Sequence, residues 1–202
     1  GGGGGRDQTG YHVALSGGSG GGGSANGEAS GGVAIRPGGS GTANQGFTGA
    51  SSVNYSNYVR AGGGGGAGSV AGQGSIPSNG GYSITSSISG KAIAYAGGGG
   101  TAGKSDNTES YRTPAGYALG GAGFANGSNT QAFAGAANTG SGGGGTHSTS
   151  AQRYGGNGGS GVVIFRLATS EYSGTTTGSP TVTTDGDYTV LTYTGSGTYV
   201  HS

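Results

Sequence analysis

The stretch GGGGTAGKS, residues 97–105, decides between two folds. Read from Gly98, it satisfies G-x-x-x-x-G-K-[ST], the loop whose backbone N–H groups cradle nucleotide phosphates. Read from Gly97, it opens one of several runs of consecutive glycine. The first reading needs a buried strand before the loop and a helix after it, with the helix N-terminus facing the phosphates. KAIAYA, residues 91–96, supplies a strand. The helix fails. SDNTESYRTPAGYA, from Ser105 onward, carries Pro114 and Gly116 and has no apolar repeat near 3.6 residues. No apolar strand ending in Asp is available to hold Mg²⁺, because the best apolar run, VVIF, is followed by Arg166. Lys104 is therefore expected to be a solvated side chain on a Gly-rich turn, with no helix starting at Ser105 and no nucleotide bound. The G-x-G-x-x-G match at residues 18–23 has the same compositional origin.

Composition sets the limits of any motif here. Of 202 residues 57 are Gly, 29% are hydrophobic and 7% are charged, with no Cys, Met or Trp. An ordinary domain is nearly half apolar and about a quarter charged. The low apolar content argues against a conventional core, and the low charge against a polyelectrolyte-like disordered chain. A net charge of +1 gives no footprint for nucleic acid or an anionic membrane surface. No apolar run is long enough to insert in a bilayer as a helix. No signal peptide is visible and the chain does not begin with Met, so its N-terminus is expected to be a processed end or a cut edge of a longer chain. Without Cys there is no disulfide or thiolate chemistry.

Collagen does not explain the glycines, since it needs Gly at every third position with abundant Pro. Here Gly1 to Gly5 are consecutive and there are 4 prolines. A flexible linker explains the Gly and Ser but not their order. A third arrangement does. Glycine in the extended left-handed helix with three residues per turn makes no internal hydrogen bonds, so its N–H and C=O groups point outward and need partners. Without Cβ atoms, neighbouring segments come close and exchange those bonds laterally. Ordering glycine is costly in entropy, so many segments must lock together at once.

The layout fits. Long runs begin at Gly1, Gly20, Gly62, Gly97 and Gly142, with shorter ones at Gly120 and in GGNGGSG at 155–161. Between them lie inserts richer in side chains. No segment combines a cap with a 3.6 period, so no helix is expected. GYSITSSISGKAIAYA, 81–96, alternates on both sides of Ser89-Gly90 and reads as a hairpin, with Ile93 and Tyr95 on one face. GVVIFRLA, 161–168, reads as a buried strand. Beyond it Gly thins and Thr dominates, and Asp185-Gly186 reads as a two-residue hairpin turn. The expected fold is a glycine-rich bundle of polyglycine II-type extended segments with β-hairpins, over residues 1–168. A small Thr-rich β unit follows at 169–202.

AGGGGGAGSVAGQG (61–74), SSISGKAIAYAGGGGTAG (86–103), GAANTGSGGGG (135–145) and GGNGGSGVVIFRL (155–167) stand in an order that resembles the glycine-rich domains of phage tail-fibre-like proteins. The similarity covers about residues 10–167. It implies a structural or adhesive fibre module on a virion surface, or an extracellular location. A related architecture, the polyglycine sandwich adhesin of some tail fibres, binds bacterial surface receptors through loops between its Gly runs. That likeness is one of pattern and carries over no binding residue. In such proteins a segment like DYTVLTYTGSGTYV precedes the Gly-rich body; here it follows the closing strand. Residues 181–200 are therefore expected to complete the next copy head to tail, in a tandem array or by strand donation between subunits.

No catalytic constellation is legible. His12, His147 and His201 are far apart in sequence and lack metal-ligand spacing. Asp185 and Asp187 bracket a turn glycine without the rest of a Ca²⁺ loop. No G-x-S-x-G elbow lies between a strand and a helix. No enzyme activity, cofactor or metal is expected. The tyrosines are more informative. Tyr11, Tyr55, Tyr58, Tyr111, Tyr117 and Tyr154 all fall in inserts. A Tyr offers a rigid apolar face and a hydroxyl, suited to recognising sugar or protein. These are the candidate receptor-contact residues, the competing reading being that they cover the bundle ends. The partners expected are other copies of the chain and a host surface glycan or outer-membrane protein. The alternative function is a subunit of a cellular extracellular filament or matrix. An ice-binding bundle would need regular Thr or Ala, absent outside the last 34 residues.

Overall fold

Glycine runs have no side chains to bury, so the backbone itself must hold them together. In the computed structural model it does. The structure describes residues 2–3, 6–7, 13–26, 35–55, 58–72, 79–101, 119–125, 131–147 and 154–201. Among these there is no α-helix, only a 3₁₀ turn at Thr169–Glu171.

The strands are short. They are β1 (Arg6–Asp7), β2 (Ala25–Asn26), β3 (Val53–Tyr55), β4 (Tyr58–Arg60), β5 (Ile84–Ser86), β6 (Ile93–Tyr95), β7 (Phe124–Ala125), β8 (Thr146–His147), β9 (Val163–Ala168), β10 (Thr176–Thr177), β11 (Thr181–Asp185), β12 (Tyr188–Tyr193) and β13 (Thr198–Tyr199). Pairs β3–β4, β5–β6 and β10–β13 are antiparallel, as is the sheet β11-β12-β9; β1–β2 and β7–β8 are parallel.

Between the strands the glycine segments are joined sideways. The N–H groups of Gly62 and Gly65 donate to the carbonyls of Gly23 and Gly20. Gly64 and Ala67 donate to Gly99 and Ala96, and Gly142 and Gly145 donate to Gly97 and Gly100. The runs from Gly20, Gly62, Gly97 and Gly142 are thus linked in chain order. The first run ties them together again: Gly22 donates to Gly2, and Gly3 donates to Gly143. In these paired sets the second bond lies three residues from the first on both segments. The same step relates Gly20 and Gly23 to Phe47 and Ala50, and Phe133 and Ala136 to Ala122 and Leu119. It also relates Ala132 and Gly135 to Tyr154 and Asn157, and Gly156 and Gly159 to Gly144 and Ser141.

Close approach, not backbone angle, requires glycine in these runs. Among the described residues the glycines with positive φ are Gly72, Gly90, Gly140, Gly174, Gly178 and Gly186, all outside the long runs. A Cβ on Gly99 would lie 1.9 Å from the carbonyl oxygen of Gly143, and one on Gly65 1.9 Å from that of Phe47. Buried side chains in this body are small: Ala61, Ala71, Ala132, Ser52, Thr101, Ser141 and Thr146. The hydroxyls are used where they are buried. Ser52 Oγ accepts from the N–H of Arg36 at 2.8 Å, and Ser141 Oγ accepts from the N–H of Gly97 at 3.2 Å.

The C-terminal sheet is built differently. Its middle strand β12 carries the buried Val190, Leu191 and Tyr193. Tyr193 meets Phe165 edge-on at 6.1 Å, and Tyr172 stacks on Tyr199 at 6.0 Å. The expectation of a buried strand at 161–168 is corrected here. β9 is an edge strand, with Val163 55% and Phe165 45% exposed, because only β12 pairs with it. The hairpin turn also moves by one residue. Asp185 pairs with Tyr188, so the turn residues are Gly186 and Asp187, and Gly186 at φ 57° takes the first central position of a II′-type turn. Asp185 is held in the strand by Arg166 Nη1 at 2.6 Å, and that guanidinium also lies 4.3 Å over the Tyr188 ring. Within residues 181–200, expected to complete the next copy, β12 pairs with β9 of its own chain and β11 pairs with β12.

Candidate functional site

The direction of each segment follows from how its paired bonds step. Opposite changes in residue number mean antiparallel segments, and equal changes mean parallel ones. Residues 20–23, 47–50, 97–100 and 142–145 all run one way. Residues 62–66, 132–136 and 154–159 run back. The parallel registers Arg6↔Ala25 and Phe124↔Thr146 add the first run and residues 119–122 to the forward set.

One consequence is a polarity. β1, β2, the β3–β4 hairpin, Thr101, β7, β8 and Tyr154 stand at the same end, which we call the insert end. β1 lies beside β8, and β2 beside β4. The opposite end carries the turns at 42–45 and 137–140, the β5–β6 hairpin and the C-terminal sheet. The hairpin and that sheet touch: a Cβ on Gly90 would meet Asp185 Cγ at 2.9 Å.

Of the candidate tyrosines, Tyr154 is at the insert end and 66% exposed. Tyr55 and Tyr58 face each other in register across the β3–β4 hairpin at that end. Tyr11, Tyr111 and Tyr117 lie outside the described residues, as do Lys104, Ser105 and His12. The segments flanking Tyr11, β1 and residues 13–16, both reach the insert end. Thr101 and Leu119, which flank Tyr111 and Tyr117, stand at different levels: Thr101 closes a forward run, whereas Leu119 is level with Ala136 near the opposite end. His147 belongs to the insert end and His201 to the C-terminal sheet, where it lies 6.5 Å from the Tyr199 ring. Among the described residues no group of His, Asp and Glu could hold a metal ion.

In the described part of the stretch that matched a phosphate loop, two N–H groups are engaged within the body. Gly98 donates to Gly81 and Gly100 to Gly121. A phosphate-binding loop needs such groups turned toward its ligand.

Among the described residues the shifted acid is Tyr193. Burial, and secondly the neighbouring Tyr172 phenol, push its hydroxyl above the ordinary value near 10. The hydroxyl donates to the Thr198 carbonyl at 2.8 Å, which ties β12 to β13. Two features escape a reading of the sequence: the pairing of β3 with β4, between which SN is a weak sequence signal, and the polarity, which depends on which runs pair.

In comparison with known proteins, a family model described as a glycine-rich domain matches residues 1–168. No curated protein and no solved structure matches the chain.

Proposed function

We propose, from the premise that this chain belongs to the glycine-rich domain family, that it is a structural and adhesive module of a fibre on a phage virion surface. Its segments are polyglycine II helices laid side by side. Its inserts meet a bacterial surface receptor, a glycan or an outer-membrane protein. The observation that carries this reading is the three-residue step of the lateral bonds, since a helix with three residues per turn repeats each N–H direction at that interval. Such a body is stiff without a conventional core, and it places β1, β2, the β3–β4 hairpin, β7, β8 and Tyr154 at one end, opposite the β5–β6 hairpin. Exposed Tyr154 and the Tyr55–Tyr58 hairpin at that end suit a contact surface. The module works without catalysis or a nucleotide.

The experiment is binding of labelled full-length protein to a panel of bacterial cells. Replacing Tyr55, Tyr58 and Tyr154 together with Ala is expected to abolish labelling while the circular dichroism spectrum stays unchanged. Retained labelling would move the contact away from the insert end. Mass spectrometry of source particles separates the virion from an extracellular filament, because capsid proteins co-purify only with the former.

A further inference from the structure

The last glycine segment, residues 154–161, has two occupied sides. Its N–H groups at Gly156 and Gly159 donate to Gly144 and Ser141, and its carbonyls at Tyr154 and Asn157 accept from Ala132 and Gly135. The third register is Gly155, Gly158 and Gly161. All three are exposed, and their N–H groups donate to no group among the described residues. The Gly155 carbonyl alone is used, accepting from Gln131 Nε2 at 3.1 Å.

At Gly158 and Gly161 the chain itself does not explain glycine, whereas a Cβ on Gly155 would meet the Gly144 carbonyl oxygen at 3.3 Å. None of the three has a positive φ. A Cβ on Gly158 would meet nothing nearer than the Ser141 carbonyl oxygen at 3.6 Å, and one on Gly161 nothing within 4 Å. On the adjoining Gly156 and Gly159 the same Cβ would lie 1.9 Å from the Phe133 and Ala136 carbonyl oxygens. The crowded glycines are those facing a neighbouring backbone. The uncrowded ones face outward, with a row of free N–H groups.

A second observation points to what covers them. Both ends of this edge carry exposed apolar side chains, Tyr154 at 66% and Val163 at 55%. An antiparallel copy centred on Gly158 sets Gly155 opposite the partner's Gly161, and Tyr154 opposite residue 162 of that copy, beside its Val163. Antiparallel is also the sense in which this segment already pairs with residues 141–144. The edge is therefore self-complementary, as a two-fold contact requires.

From this we infer that residues 154–163 form a homodimer edge, where two copies add their last glycine segments to one another's array. The free backbone groups pair across the axis, and each Tyr154 covers the partner copy's exposed valine. An edge of this length is expected to bury less than the ~1,200–2,000 Å² of standard interfaces, with a dissociation constant between about 1 and 500 μM.

Sedimentation velocity of the full chain over that range tests it. Gly158→Ala should weaken dimerisation about tenfold or more. Its melting temperature at monomer concentrations should be unchanged or slightly raised, because the new methyl has room and stiffens the unfolded chain. Tyr154→Ser should weaken the dimer independently, and Gly156→Ala should disrupt the monomer instead. A wild-type chain that stays monomeric up to about 500 μM overturns the inference. So does a Gly158→Ala chain that dimerises as the wild type does.

Discussion

The glycine body and the C-terminal sheet solve the same problem with opposite materials. In the body, cohesion comes from backbone bonds between segments such as Gly64 and Gly99, and the buried side chains are Ala, Ser and Thr. In the sheet, cohesion comes from the buried Val190, Leu191 and Tyr193, with the Phe165 ring beside those of Tyr193 and Tyr199. The crowded glycines of the body thus tolerate no added atom, and the buried side chains of the sheet no missing one. Hydrogen bonds contribute little net stability each, while leaving one unmade in a buried place is costly. A body built on them holds only if nearly all are made at once.

The largest effect should follow a methyl added to the body. Gly99→Ala puts a Cβ 1.9 Å from the Gly143 carbonyl oxygen, against backbone that cannot swing aside. The expected loss is at least ~3 kcal/mol, the upper range for overpacking, with Gly65→Ala close behind. Urea or thermal unfolding measures it. An unchanged midpoint for both would mean that the runs are loops and that the contrast between the two regions is unreal.

The converse change belongs to the sheet. Leu191 is fully buried at 0% exposure. Leu191→Ala should cost about 2–5 kcal/mol through lost transfer energy and the cavity left behind. Amide exchange should rise across residues 163–193 and stay slow at Gly64 and Gly98. If body amides loosen equally, the two regions fold as one unit and the comparison must be redrawn.

A pH effect should also be confined to the sheet. The folded chain holds the Tyr193 phenol above its ordinary value near 10, through burial first. A raised value means that folding favours the protonated form. The associated stability is complete below pH ~10 and is lost as pH rises through the folded value. Absorbance titration at 295 nm should show one late-ionising tyrosine, removed by Tyr193→Phe. Late ionisation that persists in that variant would assign the shift to another residue.

Different amounts of the two regions were legible in the sequence. The runs and the lack of helix could be read because composition alone excludes a 3.6 period. The hairpins at 84–95 and 181–193 could be read because alternation and turn residues coincide there. Which runs are neighbours could not be read. Every residue of GGGGG is alike, so no side chain marks one register over another, and the polarity of the array stayed hidden. The apolar run at β9 looked buried because VIF suits a central strand equally well. Only its pairing with β12 on one side makes it an edge. At the candidate site, the exposure of Tyr154 was legible from its place in an insert. The mutual pairing of Tyr55 and Tyr58 was not, since Ser-Asn is a poor turn signal.

The smallest effect should come where the two regions touch. Asp185 accepts a hydrogen bond from Arg166 Nη1 at 2.6 Å and lies against Gly90 at the tip of the β5–β6 hairpin. The side chains of Arg166 and Asp185 are 25% and 44% exposed, so water screens the pair. Asp185→Asn keeps the shape and removes the charge, and should cost less than ~1 kcal/mol, fading further in high salt. Arg166 retains its place over the Tyr188 ring, which limits the loss. A double-mutant cycle with Arg166→Gln reads the pair term alone. A coupling well above this range, or one insensitive to salt, would show that the contact between the hairpin and the sheet is shielded from solvent. The junction would then be a rigid joint between two differently built regions, rather than a surface where they merely meet.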